Sequence, residues 1–479
     1  ETTFTRDIAP ILQGHCQRCH REEGVAPMPL TTYEEAQPWA AMMAYKTGLR
    51  DKAGAMPPWY VEKDIGIQDF KDDPSLNDEQ VATIQRWAYA GAPEGDPRDM
   101  PPPLVFNDVN TWTAGEPDLI VKLDELEVGA DAPDWWGNIS SVPTGLTEDR
   151  YVTSVEIKEI NDVDTKNASR STVGGRYVVH HMIWSTGVLD ETGELAEGER
   201  PISWPVHEVG RNADTFDPDG ARLLPANSTV VSNSVHLHSN GKDTKARLEI
   251  GWRFHPRDYT PKYRRASRGL SNGIDISIKP NMKGQELHAY RVLAENTKMT
   301  TFEPHLHAPG ARMCLEAIWG HNVETLTCAG YDHNWVRGYE YARGYEPLLP
   351  KGTILHITGY MDNTAGNRNI PDPRNWQGSG NRSVGNMFID LGHGVAMTDE
   401  QFQEEMDNRR EMHKLTKNDH VIGCPLCMVT PLTELEQAQL TLEDAERAVR
   451  AAEAAEASKK AAKSTRSLGN VFQACLGPS

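Results

Sequence analysis

The chain has 479 residues, 38% of them hydrophobic, and a formal net charge of −20 from 49 Lys and Arg against 69 Asp and Glu. That length exceeds one hydrophobic core and points to two to four domains. The acidic balance argues against nucleic acid or an anionic membrane as partner, and no apolar run reaches the ~18 residues needed to span a bilayer.

In chain order, residues 1–98 read as a small all-α domain. Helical apolar spacing runs over Thr5 to Cys19 and over Asn77 to Ala90, the latter through Val81, Ile84, Trp87 and Ala88. Within the first stretch stands Cys16-Gln17-Arg18-Cys19-His20. Two thiols at this spacing, followed at once by an imidazole, are the attachment pattern of a c-type haem. Zinc would need further ligands, and the next cysteine is Cys314. The second axial ligand is expected from Met56, in the stiff stretch Met56-Pro57-Pro58-Trp59, with Met28 as rival; Met42 and Met43 read as core. Thr3 to Tyr60, with its Asp7-Ile-Ala-Pro-Ile-Leu12 entry and Met-Pro-Pro-Trp exit, resembles small bacterial class I cytochrome c domains. That resemblance implies Met56 as the axial ligand.

A Pro- and Gly-rich linker follows from Gly91 to Pro103. Residues 104–398 then alternate short Val-, Ile-, Thr- and aromatic-rich runs with turn residues. Examples are Leu119 to Leu123, Tyr177 to Trp184 and Ile354 to Tyr360. This texture predicts two antiparallel, jelly-roll-like β-sandwiches, 104–270 and 271–398. Residues 399–479 read as a helical extension, with a charged helix over Asp399 to Lys417. An Ala-, Glu- and Lys-rich helix over Leu432 to Lys463 has an apolar stripe narrow enough to need a partner or a second subunit.

Of the 17 histidines, several come in groups: His180-His181-Met182, His236-Leu-His238 and His305-Leu-His307. On a strand, residues i and i+2 share a face, so each His-x-His aims two imidazoles at one point. His180 and His181 can share an ion only where the strand bulges. Imidazole suits copper, zinc, nickel and iron, and an added thioether favours copper. His207, His255, His288, His321, His333, His356, His393, His413 and His420 lack partners at ligand spacing and read as ordinary packing or surface residues.

The stretches Val178 to Met182, Val235 to Lys242, Pro304 to His307, Tyr331 to Trp335, Leu349 to Thr353 and Gly385 to Met387 occur in one order. Residues 104–396 thereby resemble the copper type II, ascorbate-dependent monooxygenases, the family of peptidylglycine and dopamine monooxygenases, the bacterial members above all. The resemblance implies two copper ions facing each other across a cleft. It gives the first to His180, His181 and His236 (with His238 as rival) and the second to His305, His307 and Met387 (with Met361 as rival). The second site is the one expected to bind dioxygen and attack the substrate. Peptide-hydroxylating relatives bind a substrate carboxylate through an arginine, an asparagine and a tyrosine. The matching positions here are Glu303, Ile389 and Leu391, so peptide amidation is not expected and a neutral or apolar substrate is.

These readings together anticipate a periplasmic or extracellular oxidoreductase. Its monooxygenase chemistry would use haem c and two copper ions, O2 and a small-molecule substrate, with haem or a redox partner delivering electrons. The alternatives are a non-catalytic electron-transfer or structural subunit of a redox assembly, and a copper carrier. The chain opens at Glu1 without a leader pattern, as expected of a processed, exported protein. Cys314 and Cys328 are expected to form a disulfide, and Cys424 and Cys427 to form another with Cys475 or with each other.

Overall fold

A computed structural model describes residues 1–479 except 23, 25, 27, 107–110, 164–175, 209–212, 267–268, 381–384, 417–418, 428–437, 440, 443–444 and 458–479. Residues 1–415 and 420–427 form one compact unit. A second unit comprises 416–419 and 428–479, and its described residues include a helix over 445–457 with every side chain exposed. Leu432 to Lys463 falls partly outside the described residues, as does Cys475.

Alternating apolar residues build a first sandwich. One sheet pairs Arg150–Asn161 with Thr244–Phe254, and the other pairs Val179–Gly187 with Thr229–Leu237, all antiparallel. Val152, Val155, Leu248, Ile250 and Trp252 from one sheet meet Val179, Met182, Trp184, Val230 and Val235 from the other in a single buried core. Trp184, Trp204 and Trp252 pack ring on ring at its centre, with centroids 5.7–6.1 Å apart.

A second β region holds a five-stranded sheet whose order is Val61–Gly66, Asn322–Gly330, Gly310–Trp319, Ile354–Asn363 and Met282–Val292. Smaller antiparallel sheets cover its core, among them Leu270–Ser271, Phe388–Asp390 and Pro304–Leu306. Lys298 from this region reaches Asp217 of the first at 2.8 Å, both side chains almost wholly buried.

The sheet order corrects the expected fold class. Strand exceeds helix, 34% to 18%, and residues 1–98 are not an all-α cytochrome c domain. Their helices are short: Ala9–His15, Tyr33–Ala36, Ala40–Gly48 and Asp78–Tyr89. Between the last two, Val61–Gly66 adds an edge strand to the second β region, pairing with Asn322–Gly330. Trp59, Val61, Ile67 and Phe70 belong to that region's core, with Leu326, Tyr339 and Tyr341. The physical reason lies in Pro57-Pro58, which stops helix formation, followed by a β-prone run whose hydrogen-bonding partner is more than two hundred residues away. Helical packing does persist around Phe4, Ile8, Leu12, Val81, Ile84 and Trp87.

Other expectations are met. Asn77 caps Asp78–Tyr89 through a reciprocal pair with Gln80. The charged helix, expected to reach Lys417, runs over Asp399–His413 and ends earlier, where Lys414 turns left-handed. Cys314–Cys328 and Cys424–Cys427 are disulfides. No described helix is long and apolar enough to cross a membrane.

Candidate metal centre

The first histidine group is made by a β-bulge. Across the antiparallel pair His181 faces His236 and Val179 faces Leu237, which leaves His180 as the extra residue. The bulge turns two consecutive imidazoles to one side, as the sequence requires for a shared ion. One nitrogen each of His180, His181 and His236 lies within 4.8 Å of the others. The His180 and His181 Nδ1 atoms are 3.4 Å apart.

Second contacts orient this triad. The His236 ring stacks on Trp136 at 4.2 Å between centroids, and its Nε2 lies 3.2 Å from an Asp134 carboxylate oxygen. A carboxylate accepts, so Nε2 carries the proton and the buried Nδ1, without a partner among the described residues, presents its lone pair. His238 instead donates Nε2–H to the Tyr177 carbonyl at 3.1 Å. Burial, then the imidazoles of His236, His181, His238 and His333, push the His180 pKa down to about 2. Burial, then His236, His305 and His307, push that of His181 to about 3. Neutral rings are the form that binds metal.

The second group lies on Pro304–Leu306 and just after it. His305 and His307 have ring centroids 5.4 Å apart. His305 faces Ile389 and Leu306 faces Phe388 across the pair, and His307 and Met387 each lie one residue beyond the paired stretch. His307 donates Nδ1–H to the Gly385 carbonyl at 3.2 Å, and His305 Nδ1 stands 3.4 Å from Glu208 Oε1, ion-pair distance without hydrogen-bond geometry. Met361, the rival ligand, is buried in the core of the second β region. Glu208 itself faces His181 on the first sandwich, so the two groups meet at this carboxylate. Glu303 is 1% exposed.

His333, read from sequence as an ordinary residue, stands between the groups. Its ring centroid is 6.4 Å from that of His180 and 6.3 Å from that of His307. Burial, and then His305, lowers its pKa to about 4 against the pull of Asp332. No spacing rule finds it, because its neighbours come from other strands.

At the N-terminal motif, the backbone N–H groups of Cys19 and His20 both donate to the Cys16 carbonyl, closing a tight turn. His20 Nδ1 donates to the Met28 carbonyl at 3.0 Å, which leaves the Nε2 lone pair as the one that could ligate. Cys16 and Cys19 are free thiols. Burial raises both, Cys16 to about 12 and Cys19 against the pull of Arg18, Arg337 and Arg21. This donor set fits a haem held by two thioethers and one imidazole. Met56 is 40% exposed and lines a cavity of about 310 Å³ with Arg50, Trp59 and Glu62, but without Cys16, Cys19 or His20. Met28 packs on the same helical core as Cys16. Cys19 is in electrostatic reach of Tyr177, and Tyr177 in turn contacts His238, whose ring is 5.3 Å from that of His180. The Cys16-to-His20 motif and the first histidine group are thus linked through Tyr177.

No protein-family model matches the chain, and no curated protein does. Among solved structures it is similar to the empty top component of cowpea mosaic virus at 8% identity and a TM-score of 0.23, over 62% of this chain and 95% of that one. It is also similar to the CBM22 tandem domain of Paenibacillus barcinonensis Xyn10C at 9% identity and 0.16, over 60% and 100%. Scores this low carry no inference about fold or chemistry.

Proposed function

We propose that this chain is an exported, haem- and copper-dependent monooxygenase acting with O2 on a neutral or apolar substrate. The observation that carries the reading is the bulge that brings His180, His181 and His236 within 4.8 Å. Three neutral imidazoles, one oriented by Asp134, suit copper, and the His305, His307 and Met387 set adds a soft thioether. When bound, copper supplies one-electron redox chemistry and an O2-binding position, and haem at Cys16, Cys19 and His20 supplies electrons.

The chain's own residues set the rest. Asp134 and the Gly385 carbonyl hold His236 and His307 in ligating orientation. Tyr177 feels the charge of Cys19 and bonds His238 through its carbonyl, which supports electron delivery from this segment to the first histidine group. Ile389 stands opposite His305, and an apolar residue there favours a substrate without a carboxylate. Two disulfides accord with an oxidising compartment such as the periplasm.

Metal analysis of the full chain, run with O2 uptake under reductant, tests this. Two coppers per haem with reductant-dependent O2 consumption is the expected result. Absence of copper would leave an electron-transfer or structural subunit, and loosely exchangeable copper without O2 uptake would leave a carrier.

A further inference from the structure

Three buried imidazole nitrogens around one pocket have no hydrogen-bond partner among the described residues: His236 Nδ1, His305 Nδ1 and His333 Nδ1. Buried polar atoms are nearly always hydrogen-bonded, so three on neighbouring imidazoles, of which only His305 has a carboxylate near it (Glu208, 3.4 Å), point to a partner other than a hydrogen-bonding protein group. Two of the three belong to the ligand sets above. The third, His333, is almost equidistant from His180 and His307 and in electrostatic reach of both His236 and His305.

Its loop is fixed. The Asp332 carboxylate accepts from Gly54 N at 2.7 Å, from the Tyr60 hydroxyl at 3.2 Å and from Asn334 N at 3.0 Å. Trp335 N donates to the Asp332 carbonyl. These bonds fix the backbone on both sides of His333 and so limit where its ring can stand between the two histidine groups.

We infer that His333 is a metal ligand that joins the two histidine groups into one dinuclear copper pocket. The inference rests on the copper reading above and adds a sixth imidazole to it. The two groups then do not act as separate centres. They share a residue whose loop is anchored to the N-terminal segment that carries the haem motif.

The test is copper(II) titration of the full chain and of His333→Phe, followed by copper content and electron paramagnetic resonance. The expected result is two coppers in the parent protein, and in His333→Phe a loss of about tenfold or more in affinity for one of them with an altered spectrum. Retention by folded His333→Phe of both coppers, with parental affinity and spectrum, overturns the inference and leaves the copper reading intact. No copper in the parent protein overturns both. Should His333→Phe fail to fold, His333→Gly with added imidazole replaces it. Recovery of the second copper on adding imidazole supports ligation, and two coppers held without imidazole overturns it.

Discussion

The carbonyl oxygen of Tyr177 lies 3.1 Å from Nε2 of His238 and accepts a hydrogen bond from it. That bond fixes the His238 tautomer but does not by itself separate it from His236; the difference is that His236, and not His238, shares the 4.8 Å cluster with His180 and His181. His236, with Asp134 on one nitrogen and no hydrogen-bond partner for the other among the described residues, is the one of the pair that the copper reading takes as ligand. His236→Ala should weaken copper binding at the first site by about tenfold or more, whereas His238→Ala should leave it within a few-fold of the parent. Equilibrium dialysis against copper(II) decides, and equal losses in the two variants would remove the distinction.

The metal-free protein should lose stability in mild acid. His180 and His181 are held near 2 and 3 in the fold, well below the ~6.5 of an unfolded chain. Between those values the unfolded state binds more protons, so stability is full above about pH 6.5 and drains away as pH falls toward 3. Each ring contributes a slope of up to about 1.4 kcal/mol per pH unit in that window. Urea unfolding of chelator-treated protein at about pH 7 and pH 4.5 measures it. The double variant His180→Gln, His181→Gln should be less pH-dependent, and an unchanged slope would exclude these rings as its source.

Lys298 and Asp217 form a buried ion pair between the two β regions. Burial opposes the Lys298 charge, but Asp217 and Glu405 outweigh it and raise its pKa. Removing one partner strands the other in a water-poor site. Lys298→Ala should therefore cost about 3–5 kcal/mol by urea denaturation, and the joint replacement Lys298→Met, Asp217→Leu much less than that. Equal losses from the single and double variants would show that packing, not charge, is what Lys298 supplies.

Features that depend on neighbours in sequence were legible. The helix over Asp78–Tyr89 announces itself through the Val81, Ile84 and Trp87 stripe, and the strand Val179–Gly187 through its β-branched run. The need for a bulge at His180 followed from strand geometry alone, because adjacent side chains otherwise point apart. What escaped was non-local. Val61–Gly66 is an edge strand with one buried residue, Val61, and its partner strand starts at Asn322, so nothing in its own pattern marks it. His333 escaped for the same reason, since its significance comes from rings at 180 and 307. Met56 carries the expected exit pattern and lines a cavity with Arg50, Trp59 and Glu62, a placement that neither supports nor removes its expected role.

The place of Val61–Gly66 in the second β region gives the last prediction. Trp59 is 4% exposed and meets Phe70 and Tyr339 edge-on at 5.8 and 5.0 Å, while the Arg337 guanidinium lies over its ring. These contacts join the N-terminal segment to a sheet built from residues beyond 280. Trp59→Ala should cost about 3–5 kcal/mol, and the loss should appear in one cooperative transition with the rest of the unit. An autonomous N-terminal domain would instead melt in a step of its own and leave the β regions unchanged. Calorimetry of the parent and the variant separates the two cases, because only a shared core moves the β-sheet transition when the tryptophan is removed.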